Sequence, residues 1–486
     1  MKEKRDIMSN NKKIDAITSR GEDFAKWYTD VCTKAELMDY SSVKGFIIYR
    51  PYGYAIWELI QSFMDQRFKE TGHENVYMPL LIPQSLLQKE AEHVDGFAPE
   101  CAVVTKGGLN KLEEPLLIRP TSETLFCEHY AKIVKSYRDL PLKYNQWCSV
   151  VRWEKTTRPF LRGSEFLWQE GHTVHASEEE ARMETLQMLS IYQETAENLL
   201  AIPMLTGLKS EKEKFAGAVQ TYTIEALMHD GKALQSGTSH YFGQGFAETF
   251  NIKFLDKDGR QKFAYQSSWG VSTRLIGALI MVHGDDNGLV LPPRVAPTQV
   301  MIVPIQQKKA GVLEQADVLR ELLIAKGLRV KIDSSDKSPG WKFSEQEMRG
   351  IPLRIEIGPR DIEANECVVI KRNDGLKARV VMDLGFGDYI EDLLNIIHDE
   401  MLSNAREHLK LNTHEVTSYL EFKDTLENKG GYLKAMWCGN TSCEEKIKEE
   451  TSATSRCIKD EEAAVSDTCV YCGEKAKHLV YFAKAY

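Results

Sequence analysis

Residues 145–154 (NQWCSVVRWE), 155–164 (KTTRPFLRGS) and 165–175 (EFLWQEGHTVH) decide how the rest of the chain is read. The outer two stretches alternate like strands, and the charged middle stretch, with proline and glycine, is a loop. Two strands joined directly by a loop run antiparallel. Arg152 stands near the end of the first. A guanidinium cannot shed its proton, so an arginine on a central strand needs an anion. It has two candidate roles: a salt bridge across the hairpin to a glutamate, or a clamp for phosphate and carboxylate.

On the N-terminal side, residues 53–72 (GYAIWELIQSFMDQRFKETG) have a helical stripe of Ile56, Leu59, Ile60, Phe63 and Phe68 that stops at Gly72. NVYMPLLIP (75–83) reads as a strand whose prolines put it at an edge or an interface. EPLLIRP (114–120) leads to a helix near Thr121, 178–201 reads as a helix, and strands are expected near 232–236 and 262–268. A helix is expected at 272–283. Strands mixed with helices without regular alternation predict an α+β, antiparallel-sheet domain over 21–293, after a mobile tail at 1–20. PPRVAPT (292–298) reads as a hinge. QVMIVPI, a helix over 311–327 and LRVKID then form a βαβ unit, so 294–405 is an α/β domain and 406–486 a third module.

Composition narrows the classes. Of 486 residues, 42% are hydrophobic and 27% charged, which excludes disordered and collagen-like chains. The net charge of −9 argues against a non-specific nucleic-acid coat, though a local basic face can still bind RNA. The run LIGALIMV (275–282) is too short to span a bilayer. The polar N-terminus shows no secretory signal and the C-terminus no lipidation box, so a cytoplasmic protein without membrane contact is expected. Cys438, Cys443, Cys457, Cys469 and Cys472 crowd the end of the chain. The two close pairs offer four thiolates, enough for a tetrahedral zinc site, with Cys457 left over.

Three further stretches carry chemistry. In PTSET (120–124), Thr121 and Glu123 either cap and charge a helix start or hold a protonated amine. In QSGTSHYFGQGF (235–246), His240 is either a packed residue or a catalyst, and the hydroxyls beside glycine are either phosphate partners or ordinary turn chemistry. In SSWGVSTRLIGALIMVHGDDNGLVLPPR (267–294), hydroxyls and Arg274 at a helix start make an anion site, and Asp285-Asp286 reads as a turn.

Taken in order, these motifs resemble those of class II aminoacyl-tRNA synthetases. The helix with Pro79 resembles motif 1, VVRWE through FLWQEGHT motif 2, and GVSTRLIGALIMVHGDDNGLVLPPRVAP motif 3. Within the class, PTSET, RPFLRGSEFLWQEGH, EKEKFAG, GTSH and the ending VYFAKAY resemble prolyl-tRNA synthetases of the archaeal/eukaryotic type that lack an editing insertion. The resemblance implies a class II antiparallel-sheet catalytic domain, an α/β anticodon-binding domain and a small C-terminal zinc-binding-type α/β domain. It implies a proline–tRNA ligase that makes prolyl-adenylate from L-proline and ATP with Mg2+, then charges tRNA(Pro), as a homodimer joined through motif 1.

By the same resemblance, Arg152 and Arg274 are catalytic. Thr121, Glu123, Arg152, Trp168, Phe215 and His240 contact proline, with Phe166 beside the ring pocket. Arg152, Arg162, Gln235, Thr238, Ser272 and Arg274 hold ATP. Glu347, Arg354, Arg360 and Lys377 read the anticodon guanines, and Cys438, Cys443, Cys469 and Cys472 hold structural zinc. Gly163-Ser164, Ala218 and Ser272 depart from the commonest pattern of the family. Two alternatives stand beside this reading. A threonyl or glycyl synthetase of the same subclass fits the Thr121, Glu123, Trp168 and Phe215 pocket less well. A non-catalytic synthetase-like tRNA-binding protein predicts loss of Arg152 or Arg274.

Overall fold

The computed structural model describes residues 17–93 and 101–486. The residues flanking the charged loop form the expected hairpin. Leu142–Val151 pairs antiparallel with Glu165–His175, from Leu142 opposite Val174 to Val151 opposite Glu165. Next to it come Tyr265–Ser272, Ala233–Gly243, Gln220–Leu227 and Leu205–Leu208, all antiparallel, while the short Glu74–Asn75 lies parallel on the outer edge. The helix Glu178–Asn198 packs on these strands. Ser177 caps it by accepting from the Glu180 N–H, and Glu178–Glu180 put negative charge at its positive end. Its buried face includes Ala181, Thr185, Met188 and Tyr192, at helical spacing. Tyr192 donates to Gln169 at 2.7 Å, which ties the helix to the hairpin.

Several expectations shift. The helix Pro51–Glu70 buries Gly53, Ile56, Trp57, Ile60, Met64 and Phe68, so Trp57 and Met64 replace Leu59 and Phe63 in the stripe. Residues 75–83 are not one strand. Glu74–Asn75 ends at the main sheet, and Leu81–Pro83 joins a three-stranded sheet with Asn110–Ile118 and Val103–Gly107. Proline at 79 removes a ladder donor between the two. The cap of the helix Glu123–Ile133 is Ser122, not Thr121. Residues 1–16 of the expected tail lie outside the described residues. Within 17–20, Thr18 bonds Asp30, and Arg20 bonds Asp286 and the Gly284 carbonyl.

The chain divides into two compact units whose limits differ from 293/294 and 405/406. One comprises Met38–Val282 and Asp399–Tyr486; the other comprises the described residues up to Leu37 and His283–His398. The C-terminal strands extend the main sheet: Thr454–Ile458 meets Leu205–Leu208, and His478–Ala483, Tyr432–Trp437 and Thr413–Glu415 continue outward. The first unit breaks off at Val282 because residues 285–291 are bonded within the second. Leu289 N–H donates to the Met348 carbonyl, Leu291 N–H to the Gly350 carbonyl, and Arg372 forms a two-pronged ion pair with Asp285. The stretch 292–298, expected as a hinge, lies within the second unit, and its Val295 and Ala296 are fully buried. The second unit holds a five-stranded sheet in the order Val330–Ile332, Val300–Pro304, Leu353–Ile357, Glu366–Lys371, Lys377–Val381. Its first three strands are parallel, as the βαβ reading requires.

Gly171 tests the packing of the main sheet. It pairs with Trp269 across the strands, and a Cβ there would run into the Trp269 ring. Gly171→Ala should lower stability by about 1–3 kcal/mol, seen as a lower urea midpoint. An unchanged midpoint would mean that the ring yields without cost.

Candidate active site

Two adjoining cavities open on one face of the main sheet. The first is walled by Arg152, Arg162, Arg274, Phe166, Ser272 and the segment Gln235–Thr238, together with Glu154. The second is walled by Thr121, Glu123, Glu170, His172, Glu213, Phe215 and His240. Arg152, Trp168, Gln235, Thr238 and Gly270 belong to both, so Arg152 stands on the boundary.

Arg152 is not spent on a salt bridge across the hairpin. Its Nε donates to the Pro120 carbonyl at 2.9 Å, and its guanidinium lies 5.4 Å from the ring centroids of both Phe166 and Trp168. Backbone and rings fix the group while leaving other donors free to meet a ligand. Burial pulls its pKa down, and the carboxylates of Glu123, Glu170 and Glu154 oppose that shift. Arg274 is held likewise, with Nε donating to the Leu161 carbonyl and a terminal nitrogen to the Gln235 carbonyl. Burial, with repulsion from Arg162 and Arg152, brings it down to about 10, so it remains charged at neutral pH. Several mutually repelling cations around one cavity create a standing demand for an anion.

The second cavity has the opposite character. Thr121 donates to the Glu123 carboxylate, and both are buried. Glu170 receives Ser122 Oγ at 2.5 Å, Gln146 Nε2 at 2.6 Å and a contact from His172 at 3.0 Å. Burial opposes its charge, but His172 and these donors hold its pKa below the ordinary value. Two carboxylates beside Phe215 and Trp168 suit a cation attached to an apolar body. His240 is neutral, since burial lowers its pKa to about 3. Its two ring nitrogens are both engaged, at 3.0 Å to Thr221 and 3.0 Å to Thr238, and Phe215 packs against it at 4.8 Å.

The structure thus brings every expected ATP residue to the first cavity and every expected proline residue to the second. Phe166 lies on the first side only. Glu170, His172 and Glu213 were missed. Alternation along Glu165–His175 could have placed Glu170 on the same face as Trp168 and His172, because residues two apart share a face.

In the other unit, one cavity collects Glu347, Arg354 and Lys377 with Trp341, Phe343 and Lys371; Arg360 does not line it. Arg354 lies 4.2 Å from the Phe343 centroid and is paired with Glu356 at 3.0 Å and Glu347 at 3.5 Å.

Cys438, Cys443, Cys469 and Cys472 come together with sulfurs within 4.8 Å of one another; Cys438 to Cys443 is 3.7 Å and Cys472 to Cys438 is 3.8 Å. Four thiolates about 2.3 Å from a central zinc lie about 3.8 Å apart, so the cluster fits that ion. Cys457 is buried elsewhere, in the strand Thr454–Ile458.

Comparison with known proteins matches this geometry. A family described as tRNA synthetase class II core domain (G, H, P, S and T) matches residues 106–283, an anticodon binding domain matches 299–386, and the prolyl-tRNA synthetase C-terminal family matches 419–486. The proline–tRNA ligase of Lachnospira eligens is 62% identical over 99% of this chain and 100% of its own. That of Clostridium novyi is 61% identical over the same shares. The crystal structure of prolyl-tRNA synthetase from Cryptosporidium parvum, complexed with halofuginone and AMPPNP, superposes with a TM-score of 0.93 at 41% identity, covering 97% of this chain and 99% of that one. Identity at this level along the full length of both sequences, with core, anticodon-binding and C-terminal domains in the same order, makes this chain a member of the prolyl-tRNA synthetase family.

Proposed function

We propose that this proline–tRNA ligase joins its substrates across Arg152, the residue shared by the two cavities, and this shared position is the observation that carries the assignment of roles. The proline carboxylate attacks the α-phosphorus of ATP. A P–O bond forms to the carboxylate oxygen, the bond to the bridging oxygen breaks, and pyrophosphate leaves. The carboxylate needs no base; repulsion between anions and loss of freedom on alignment are the obstacles. Arg152 contacts both anions, while Arg162 and Arg274 hold the phosphates. Gln235, Thr238 and Ser272 orient ATP, Thr121 and Glu123 hold the proline ammonium, and Trp168, Phe215 and His240 wall its ring. The terminal 3′-hydroxyl of tRNA(Pro) then attacks the carbonyl of prolyl-adenylate and AMP leaves.

Mg2+ keeps several waters and binds through one or two carboxylates and substrate phosphates. Glu154, the carboxylate lining the first cavity, fits that role. There the ion would neutralise triphosphate charge. Zinc in the four-cysteine cluster would brace the C-terminal domain. Glu347, Arg354 and Lys377 would read the anticodon guanines, with Arg360 outside their cavity. A homodimer through the motif 1 segment is supported by its exposed apolar side chains, Tyr77 at 69%, Leu80 at 44% and Leu81 at 37%. Among the described residues no helix is long and apolar enough to cross a membrane. We place the enzyme in the cytoplasm, where its substrates are used.

Three outcomes test these roles. Arg152→Ala should reduce proline-dependent ATP–pyrophosphate exchange about ten- to ten-thousand-fold, from loss of one or two charge-assisted bonds, at an unchanged unfolding midpoint. Near-normal exchange would remove the clamp. Lys377→Ala should lower the efficiency of tRNA charging about five- to hundred-fold, the value of one base contact, and leave exchange as it was. Equal loss in both assays would place Lys377 outside anticodon reading. Cys443→Ser should abolish zinc in elemental analysis and lower the unfolding midpoint, since structural zinc contributes about 10–16 kcal/mol of apparent binding energy. Purified wild-type protein without zinc would remove the metal from the cluster.

A further inference from the structure

One buried carboxylate of the C-terminal domain reaches the segment that carries two residues of the second cavity. The wall formed by Glu213 and Phe215 belongs to the segment 210–217, which runs between the strands Leu205–Leu208 and Gln220–Leu227 without regular structure. Such a segment is only as fixed as its anchors. At one end, Phe215 N–H donates to Thr221 Oγ1 at 3.0 Å, the same hydroxyl that meets His240. At the other end everything converges on Ser210. Its carbonyl accepts from Glu213 N–H at 3.1 Å and Lys214 N–H at 2.9 Å, and its hydroxyl accepts from Glu213 N–H at 3.3 Å.

That hydroxyl donates in turn to Glu444 Oε1 at 2.7 Å. The Ser455 hydroxyl meets both the same carboxylate oxygen and, at 3.1 Å, the Ser210 hydroxyl. Ser210, Glu444 and Ser455 are 1%, 2% and 2% exposed, so this is a dry polar cluster, where a lost partner is costly. Glu444 Oε2 is buried with no hydrogen-bond partner among the described residues. The carboxylate's hydrogen bonds among the described residues thus fall on Oε1. Glu444 lies in the helix Thr441–Thr451, one residue after Cys443. The surface pairs nearby, Lys212 with Glu445 at 3.0 Å and Lys448 with Glu213 at 4.0 Å, run the same way but are partly exposed and contribute little.

We propose that Glu444 is a positioning residue for proline binding. It fixes Ser210, Ser210 fixes the turn that carries Glu213 and Phe215, and the C-terminal domain thereby sets amino-acid affinity. This rests on the reading of the second cavity as the proline site.

The test is ATP–pyrophosphate exchange by the full-length enzyme, with KM measured separately for proline and for ATP. Glu444→Met should raise KM for proline about tenfold and leave KM for ATP and kcat within about twofold, the loss of one or two buried hydrogen bonds. Glu444→Gln, which still presents an oxygen to both hydroxyls, should restore KM for proline. Ser210→Ala, a smaller change that keeps the fold should the methionine variant fail to express, should reproduce the effect. Combined with Glu444→Met it should add less than it costs alone, because the two share the Ser210–Glu444 bond. Phe215→Ala separates the two ideas. If it raises KM for proline while Ser210→Ala and Glu444→Met do not, the positioning role is overturned and the proline cavity stands. If Phe215→Ala also leaves KM for proline unchanged, both are overturned. Equal rises in both KM values for Ser210→Ala would reduce Glu444 to a structural brace and overturn the proposal.

Discussion

A guanidinium that cannot be neutralised, fixed at the junction of two cavities, is the constraint around which the rest of this unit is arranged. Arg152 has an acidic cavity on one side and a basic one on the other. In water such a group gains little from either side. Between the faces of Phe166 and Trp168 it is partly stripped of solvent, and a bound anion gains correspondingly more. The arrangement also separates the two cavities by sign. On the proposed mechanism the ammonium of proline faces Thr121 and Glu123, its carboxylate Arg152, and the triphosphate Arg162 and Arg274. On that mechanism alignment for attack on ATP comes from charge placement, without a proton to move.

Holding those charges in place is the work of the main sheet. The antiparallel pairing of Ala233–Gly243 with Gln220–Leu227 breaks register between Ile224 and Glu225, where Ser236 is the extra residue. Bulges re-aim side chains, and this one falls among residues that line the first cavity. The Gln235 carbonyl that receives Arg274 stands directly opposite Glu225. Glu225 is fully buried and paired with Lys209 at 2.8 Å and Arg456 at 2.9 Å. The cationic cavity is thus backed by a carboxylate that is itself enclosed by two cations, one of them from the C-terminal strand Thr454–Ile458.

What could be read in the sequence were features whose signal is local. The hairpin around Arg152 announces itself through alternation broken by a charged loop, and Arg274 through glycine and hydroxyls at a helix start. Thr121, Glu123, Gln235 and Thr238 followed from motif order, and the structure places them on the two cavities. Long-range pairing left no such trace. No local pattern reveals that Thr454–Ile458 will lie beside Leu205–Leu208, so the C-terminal residues read as a separate module rather than as an extension of the main sheet. Glu170 and His172 escaped for a different reason: on a buried strand an acid and a histidine look like isolated polar interruptions, and only the approach of Ser122 and Gln146 shows them as a network. Trp57 displaced Leu59 from the helix stripe because its ring packs edge-on against Trp147, a contact between residues far apart in sequence.

The seam between the two stretches of chain in this unit carries more polar bonding than stability alone requires. Replacing a buried ion pair with apolar residues of similar volume is often neutral or stabilising. A C-terminal domain needed only to cover a sheet edge could therefore do so with apolar side chains. Instead Arg456 reaches Glu225 behind the cationic cavity, and Glu444 reaches Ser210 beside the acidic one. Buried polar contacts are directional: each is satisfied in one arrangement and costly in any other. Two such contacts at separate points along the seam fix both position and rotation of the C-terminal strands against the catalytic sheet: Glu225 lies across the strands from Gln235, which lines both cavities, and Ser210 lies three residues before Glu213 of the second. The same sequence that closes the fold thereby braces the catalytic sheet beside both cavities.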